Sequence, residues 1–519
     1  MIKYNIVFLF LTILSISPFL LNISTVLDPY GYSVLILTNT INTNGFIDFQ
    51  NFTLGDHWRG HAKNILGDIR PLTSIFIAML SQITLLDPLG LASIPLFLLL
   101  IPVIVFLFIR KTLISDHKSS SDYIFFLFYV AAISLLQPGG IHFLSHGFFL
   151  MILLLYVGVR WIKYGSPTDA ILTLIVFIAA SRTHYTTYTA SAMFLLGMLL
   201  YMVLFLRERR RYWSFTLVSV VFLFIVLWYD NILQATLRTI SFENIHAAVN
   251  RIMMFRLDTP QVANPYIEMV LINPGTAIAN SVMRVGLGIM GAYALFACLK
   301  NKEFRKDLPI VMGLLFMGLF ETFTYTLIGG VFLVRLLYSI SLPFLIILWA
   351  RSFMKNSNKH KKASAILLII LCMLSITIVL RNYETISDRQ MIVKNVEMID
   401  SVTYNVNMFF KNNVSYTMVA GSTESALLSY KTFKPEYRAL ATFGPFSRIM
   451  DGDLDGFMAE IDGLPQDIKI IFLPRNYPYI EIHAWGDIYL LKSEFYVKLA
   501  NKLNVIYDGP FKIYENTQC

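Results

Sequence analysis

Asp28 stands directly after a long apolar run and directly before Pro29-Tyr30-Gly31-Tyr32. A carboxylate held at the mouth of a helical bundle can take a proton from an acceptor hydroxyl or bind a divalent cation. The Asp-Pro pair is also a common helix start, with the Asp side chain as cap and Pro at the first helical position. The two roles are compatible. The following stretch gathers Asp48, Asp56-His57-Trp58-Arg59, His61, Lys63, Asp68 and Arg70. His57 and His61 are four apart, on one face of a helix. That spacing suits a metal, but without a third ligand ordinary surface histidines are the simpler reading.

More chemistry-bearing groups lie at the ends of later apolar runs. His142 and His146 are again four apart, and Ser181-Arg182-Thr183-His184-Tyr185 fills the turn between two runs. Glu321 and Arg335 sit inside or at the start of apolar runs. Ionisable groups at membrane depth are expensive and by default suggest function. For Glu321 the competing reading is an ion pair with Arg284, at a similar depth. For Arg335 it is snorkelling to the interface. An arginine facing a cavity is otherwise well suited to hold a phosphate by paired hydrogen bonds.

Near the C-terminus, Asp451-Gly452-Asp453-Leu454-Asp455-Gly456, with Asp462 at the twelfth position, approximates a calcium loop of the EF-hand kind. Gly463-Leu464-Pro465 interrupts the helix that should follow, and acidic capping of a short helix explains the run more simply. There is no phosphate-binding Gly-rich loop, no Gly-x-Ser-x-Gly elbow and no Cys-x-x-Cys pair. An ATP-driven pump and a dithiol redox enzyme are therefore not expected.

The elements that must carry these groups are membrane helices. The chain has 519 residues, 56% of them hydrophobic, and a mean hydropathy of +0.61. Apolar runs recur to residue 380, after which charge is dispersed and no spanning run occurs. Spans are expected at 4–26, 90–109, 123–138, 142–159, 169–181, 187–206, 213–229, 278–299, 308–326, 331–350 and 363–380, about eleven in all. The first run is long and lacks a small-residue cleavage pattern, so it reads as an uncleaved span rather than a signal peptide. The net charge of +9 does not point to nucleic acid. Its excess lies in clusters at Arg110-Lys111, Arg160 with Lys163, Arg207 to Arg211, Lys300 to Lys306 and Arg351 to Lys362, the pattern of cytoplasmic loops. Cys298 and Cys372 fall in spans and Cys519 has no partner, so no disulfide is expected.

The segment from Pro71 to Pro88 is apolar but short for a span. If it crossed, the later basic clusters would change side and oppose the N-terminal Lys3. If it does not cross, all of them are cytoplasmic. It therefore reads as a helix lying at the outer surface or dipping part-way in. Residues 27–89 then form a large outer loop, and 182–186, 230–277 and the tail after residue 380 are also outside. Sequons at Asn22, Asn51 and Asn413 lie at or on that side, but such tripeptides are common by chance. In the tail, strands are expected at Tyr416–Ala420, Ile468–Leu473, Val505–Tyr507 and Phe511–Tyr514, and helices around 388–411, 453–462 and 492–503. Asp508-Gly509 reads as a hairpin turn. The fold class is thus an α-helical polytopic membrane bundle over residues 1–380 with a C-terminal α/β extracytoplasmic domain over 381–519.

This order of parts resembles the type-C glycosyltransferase superfamily, which includes protein mannosyltransferases and aminoarabinose transferases. The resemblance rests on Leu27-Asp28-Pro29-Tyr30 after the first span, the long outer loop, and the Pro-led stretch Arg70-Pro71-Leu72-Thr73-Ser74-Ile75-Phe76 running into Leu85-Leu86-Asp87-Pro88. It continues through Ala180-Ser181-Arg182-Thr183-His184, Arg335-Leu336-Leu337-Tyr338 leading to Pro343, and the outer C-terminal domain. The resemblance implies a polyprenyl-phosphate sugar as donor, membrane lipids around it, and a glycan, lipid or protein as acceptor. It implies Asp28 as catalytic base or metal ligand, and Arg335, with Arg182, on the donor phosphate. Asp56, His57, His61, His142, His146 and His184 are then candidates for acceptor or metal contacts. A divalent cation is a candidate cofactor. Many members carry a second carboxylate near the start of the fourth span, where this chain has His142, Ser145 and His146, which leaves metal use open. The Trp-Trp-Asp signature of oligosaccharyltransferases is absent, which sets that subgroup aside.

The leading expectation is therefore a hexosyl- or pentosyltransferase acting at the outer face. The alternatives are a transporter or flippase of a lipid-linked or anionic substrate, and a non-catalytic membrane scaffold. Transporters usually show internal repeats and broken helices near the midplane. No repeat is evident here, and the polar groups gather towards the outer face.

Overall fold

The computed structural model describes residues 29–45, 72–93, 96–109, 125–126, 128–129, 143–183, 185–205, 266–269, 274–328, 336–355 and most of 362–378. In the tail it describes 417–420, 437–439, 452–462, 469–474, 479–482, 487–508 and 511–516, and near the N-terminus Ile13 alone. The helices in the first part are α1 (Pro29–Asn44), α2 (Leu72–Thr84), α3 (Pro88–Ser93), α4 (Leu96–Phe108), α5 (Phe143–Tyr164), α6 (Pro167–Ser181) and α7 (Tyr185–Phe205). After a short strand, β1 (Ile267–Met269), come α8 (Pro274–Lys300), α9 (Leu308–Ile328) and α10 (Leu342–Lys355). A π-helical turn, Leu337–Ser341, leads into α10. The expected spans at 4–26 and 213–229 lie outside the described residues.

Among the described residues, Val282–Lys300 is both long and apolar enough to cross a membrane, and shorter apolar stretches lie within α2, α5, α6, α7, α9, α10 and 365–378. As whole helices α5, α7 and α9 have 22, 21 and 21 residues, the length that a hydrocarbon core of about 30 Å requires. The turn between α5 and α6 shows how sequence ends one helix and starts the next. Gly165 takes a φ of +65°, a left-handed conformation that is unstrained because glycine has no Cβ, and its N–H donates to Trp161 O at 2.8 Å. Ser166 then caps α6 by accepting from Asp169 N at 3.5 Å, and Pro167 fills the first helical position. Asp169, buried in the first turn, pairs with Arg160 at 3.3 Å, while Arg160 Nη1 donates to the Tyr156 hydroxyl. At a second turn of the same kind Asp307, next to the start of α9, pairs with Arg351 at 3.5 Å. Both carboxylates favour the positive end of the helix they precede or open, and both arginines belong to the basic clusters.

The bundle core is built by close helix contacts. At the crossing of α7 and α9, a Cβ on Gly197 would stand 2.7 Å from Met312 O, and one on Gly313 would stand 2.8 Å from Met198 Cγ and the Phe194 ring. Lipid tails give little hydrophobic drive to helix association, so two glycines that let backbones approach supply dispersion contact instead. Hydroxyls inside the bundle mostly turn back on their own helix: Thr173 donates to Asp169 O, Thr322 to Gly318 O and Ser375 to Leu371 O. The α4 helix carries Pro102 in its interior, a position that removes one backbone donor.

The segment 27–89, expected as a large outer loop with a helix at 71–88, forms a further helix at Pro29–Asn44, and Leu85–Asp87 interrupt the expected one. The α1 and α2 helices lie side by side. Ser74 Oγ donates to Val34 O at 3.1 Å, and Gln82 Nε2 donates to Asn42 Oδ1 at 3.3 Å. Eight residues separate the two contacts on each helix, so the pair runs parallel and both N-terminal ends lie together. Beyond α2, Leu85 takes a φ of +58° and is 90% exposed, in an apolar corner with Ile83 and Leu86.

The tail holds two sheets. One is mixed and five-stranded, in the order β3 (Tyr437–Ala439), β2 (Thr417–Ala420), β4 (Lys469–Pro474), β8 (Phe511–Asn516) and β7 (Asn504–Asp508). The β2 strand is parallel to both its neighbours, and β7 and β8 form the antiparallel hairpin expected around Asp508-Gly509. The other sheet is three-stranded, in the order β1, β6 (Asp487–Leu491) and β5 (Tyr479–Ile482), all antiparallel. Helices α11 (Leu454–Asp462) and α12 (Ser493–Ala500) pack through Phe457 and Phe495, whose ring centroids are 6.0 Å apart. The expected helix at 388–411 lies outside the described residues. Strands β1, β3, β5 and β6 were not foreseen. The pairing of β1 with β6 joins the stretch just before α8 to the tail, and Lys492 N donates to Tyr266 O at 2.8 Å.

The acidic run at Asp451–Asp462 takes the capping role. Gly456 N donates to Asp453 Oδ1 at 2.8 Å, and Asp455 forms an ion pair with Lys502.

Candidate functional site at the start of the α1 and α2 helices

Of the site residues named from sequence, Arg182 and His146 lie among the described residues. Asp28, Asp56, His57, His61, His142, His184 and Arg335 lie outside them. Described residues flank His184 on both sides and follow directly after Asp28, His142 and Arg335 in the chain.

The α2 helix is fastened at its first two residues. Leu72 N donates to Arg182 O at 3.2 Å, and Thr73 Oγ1 lies 3.0 Å from His146 Nδ1. Arg182 closes α6: its N–H donates to Ala179 O, and Thr183 follows with backbone and hydroxyl bonds to Ala180 O. The Arg182 side chain is exposed. An Arg-bearing turn is thus tied through its carbonyl to the start of α2. The α1 helix begins alongside, at Pro29, which is the start that the Asp28 cap reading requires.

His146 faces inward. Its ring stacks on Phe97 of α4, centroids 4.2 Å apart and planes 9° from parallel, and Phe76 of α2 leans on it at 5.7 Å. It is 6% exposed. One imidazole therefore joins α2, α4 and α5 by a hydrogen bond and two ring contacts. Sequence alone suggested a spacing of four with His142, not this environment. The signal that could have found it is Thr73, a hydroxyl on the apolar face of a Pro-led helix.

Glu321 of α9 is also buried, at 4% exposure. Its Oε1 accepts from Leu336 N at 2.9 Å and its Oε2 from Leu337 N at 2.7 Å. Both carboxylate oxygens thus serve the first amides of the helix that opens next to Arg335. The ion-pair reading from sequence did not anticipate this use.

Among the described residues no group of three or more His, Cys, Asp or Glu is arranged to hold a metal ion.

By sequence, no protein-family model and no curated protein matches this chain. By fold, it is similar to an archaeal oligosaccharyltransferase, AglB from Archaeoglobus fulgidus, in complex with an inhibitory peptide and a dolichol-phosphate. The TM-score is 0.53 at 11% identity, over 90% of this chain and 69% of that one. The apo form of the Archaeoglobus fulgidus oligosaccharyltransferase gives a TM-score of 0.52 at 12% identity, over 89% and 69%. This chain has the type-C glycosyltransferase fold. The missing Trp-Trp-Asp signature had set oligosaccharyltransferases aside, yet the fold likeness is to that subgroup. At such identities the likeness concerns architecture.

Proposed function

We propose that this chain is a membrane glycosyltransferase that moves a sugar from a polyprenyl-phosphate donor to an acceptor on the outer face. The observation that carries the reading is the fastening of α2 to the Arg182 turn, with the start of α1 beside it, in a chain of type-C fold. It supports a site formed where Asp28 precedes α1 and Arg182 closes α6. The related archaeal structure holds a dolichol-phosphate and an inhibitory peptide. The first is a lipid phosphate, the class that the proposed donor would leave behind.

In the proposed reaction the acceptor heteroatom attacks the anomeric carbon while the bond from that carbon to the phosphate oxygen breaks. The polyprenyl phosphate leaves with the electron pair, and the acceptor proton passes to the Asp28 carboxylate. Arg335, with Arg182, stabilises the charge that builds on the departing phosphate. His146 holds α2 in place from behind. Residues 1–380 form the membrane domain and 381–519 the extracytoplasmic α/β domain. The pairing of β1 with β6 supports one compartment for the stretch before α8 and the tail.

The test is sugar transfer by the purified protein in lipid, with a panel of radiolabelled polyprenyl-phosphate sugars and Asp28→Asn alongside. Transfer by the parent and loss in a folded Asp28→Asn protein is the expected result. Equal transfer by both removes Asp28 from the reaction. No donor consumption by the parent sinks the transferase reading in favour of a transporter or a scaffold.

A further inference from the structure

We infer that the corner after α2 is seated in lipid, with Leu85 anchoring the α1 and α2 pair in the acyl-chain region at the outer face of the membrane. The inference rests on the membrane domain proposed above and is independent of sugar transfer.

Among the described residues, three helices end through a left-handed residue. Gly45 follows α1 with a φ of +74°, Gly165 follows α5 with +65°, and Leu85 follows α2 with +58°. The two glycines adopt this conformation without strain. A leucine sets its Cβ against the following carbonyl, and no other non-glycine residue among those described has a positive φ. The Leu85 side chain is 90% exposed, so packing within the chain does not offset the strain. Side chains hold the turn in place. Ser81 Oγ donates to Leu86 O at 2.7 Å, and Leu86 N donates to Thr84 Oγ1 at 3.4 Å. Two costs therefore meet at one residue, backbone strain and an apolar side chain outside the fold. Burial of that side chain in hydrocarbon offsets both.

The neighbouring helix end shows which side meets lipid. Gln82 Nε2 donates to Asn42 Oδ1, which sets the two helices level at that point. Past it α1 ends in Thr43, Asn44 and Gly45, all exposed and none of them apolar and large. Past the same level α2 ends in Ile83, 74% exposed, with Leu85 and Leu86 also exposed. An end surrounded by water would be polar on both helices, and an end immersed in hydrocarbon would be apolar on both. One polar end beside one apolar end fits a pair lying along the boundary, as interfacial helices do. The position agrees. Phe76 rests on Phe97, the second residue of α4, with ring centroids 5.5 Å apart. Leu85 follows Phe76 by nine residues, about 14 Å of helix. The corner thus stays close to the start of α4, whose run Leu96–Phe108 carries no charged residue.

The test places a nitroxide label on single cysteines of the full chain in lipid nanodiscs, with Cys298→Ala, Cys372→Ser and Cys519→Ser as the background. The labelled variants are Ile83→Cys, Leu85→Cys, Asn44→Cys and Ile289→Cys. Ile289 is exposed within the stretch of α8 that is long and apolar enough to cross a membrane. The readout is the ratio of collisions with oxygen, which concentrates in hydrocarbon, to collisions with a water-soluble nickel chelate. The ratio at Ile83 and Leu85 should approach that at Ile289 and exceed that at Asn44. Adding Leu85→Asp to the Ile83→Cys protein should lower the ratio there to that of Asn44, because a carboxylate is expelled from hydrocarbon. An unchanged ratio would remove Leu85 as the anchor. Thermal unfolding checks that each labelled protein is folded, and the labels at Ile83 and Leu85 report independently if one variant is not. If Ile289 reports lipid while Ile83 and Leu85 report water, the anchor is wrong and the membrane domain stands. If both reagents are excluded at Ile83 and Leu85, a protein surface covers the corner and the anchor is equally wrong. If Ile289 itself reports water, the membrane domain fails and the anchor with it.

Discussion

The amide of Leu72 donates to the carbonyl of Arg182 at 3.2 Å, across 110 positions of sequence. One residue later Thr73 meets His146. The start of α2 is thus fastened twice, once to the turn after α6 and once to α5.

His146 is therefore expected to matter for the stability of α2. His146→Ala leaves the Thr73 hydroxyl buried without its partner, which costs about 1–3 kcal/mol, and also removes the stack on Phe97. Thr73→Val should give a smaller loss, since it empties no space. Thermal unfolding of the purified variants checks the order, and equal melting temperatures for all three proteins would show that the clamp contributes nothing.

The crossing of α7 and α9 should tolerate no side chain at Gly197. A Cβ there meets the Met312 carbonyl, which cannot move aside as a flexible side chain can. Gly197→Ala is expected to destabilise by about 1–3 kcal/mol, the usual cost of overpacking. Gly288, whose built Cβ meets nothing within 4 Å, is the control position for the same substitution. A Gly197→Ala protein as stable as Gly288→Ala would contradict the close crossing.

Glu268 and Leu490 stand opposite each other in the pairing of β1 with β6. Cysteines placed at both positions should form a disulfide in intact membranes under mild oxidation. A membrane-impermeant reductant added to the outer side should break it. Failure to cross-link would argue against this sheet, and a bond broken only after permeabilisation would reverse the proposed orientation.

In the tail, the Lys502 ammonium holds the Asp455 carboxyl below its ordinary range by a side-chain hydrogen bond and by charge, with Lys498 adding to the effect. A carboxylate whose folded pKa is depressed stabilises the fold above its unfolded pKa, about 3.9, and loses that contribution as pH falls through the folded value. The melting temperature of the parent should exceed that of Asp455→Asn near neutral pH, and the difference should shrink as pH falls below about 3.9 and vanish only below the folded value. Asp455 is exposed, so the gap should be small and should shrink with added salt. A gap that grows on acidification would reverse the assignment.

Much of the architecture was legible because single residues settle helix ends. Gly165, Ser166 and Pro167 mark the turn between α5 and α6, and apolar runs locate α7, α8 and α9 to within a few residues. The hairpin of β7 and β8 follows from two β-rich runs around Asp508-Gly509. The α1 helix was less legible. Its sequence, rich in Thr, Asn and β-branched residues, has weak helix propensity. It is helical against α2, where Thr38 Oγ1 and Ser74 Oγ bond across the contact. Strand β1 was hidden for a similar reason: three residues carry no periodicity, and the partner is in the tail.

By itself the sequence determined which segments are apolar enough for a membrane, where the basic clusters fall and where helices must stop, since these depend on the transfer of local side chains and on backbone preferences within a few residues. Only the tertiary structure decided what His146 and Glu321 do. An imidazole between Thr73 and Phe97, or a carboxylate on the Leu336 and Leu337 amides, depends on which distant segment arrives within about 3 Å, and no local pattern encodes that arrival.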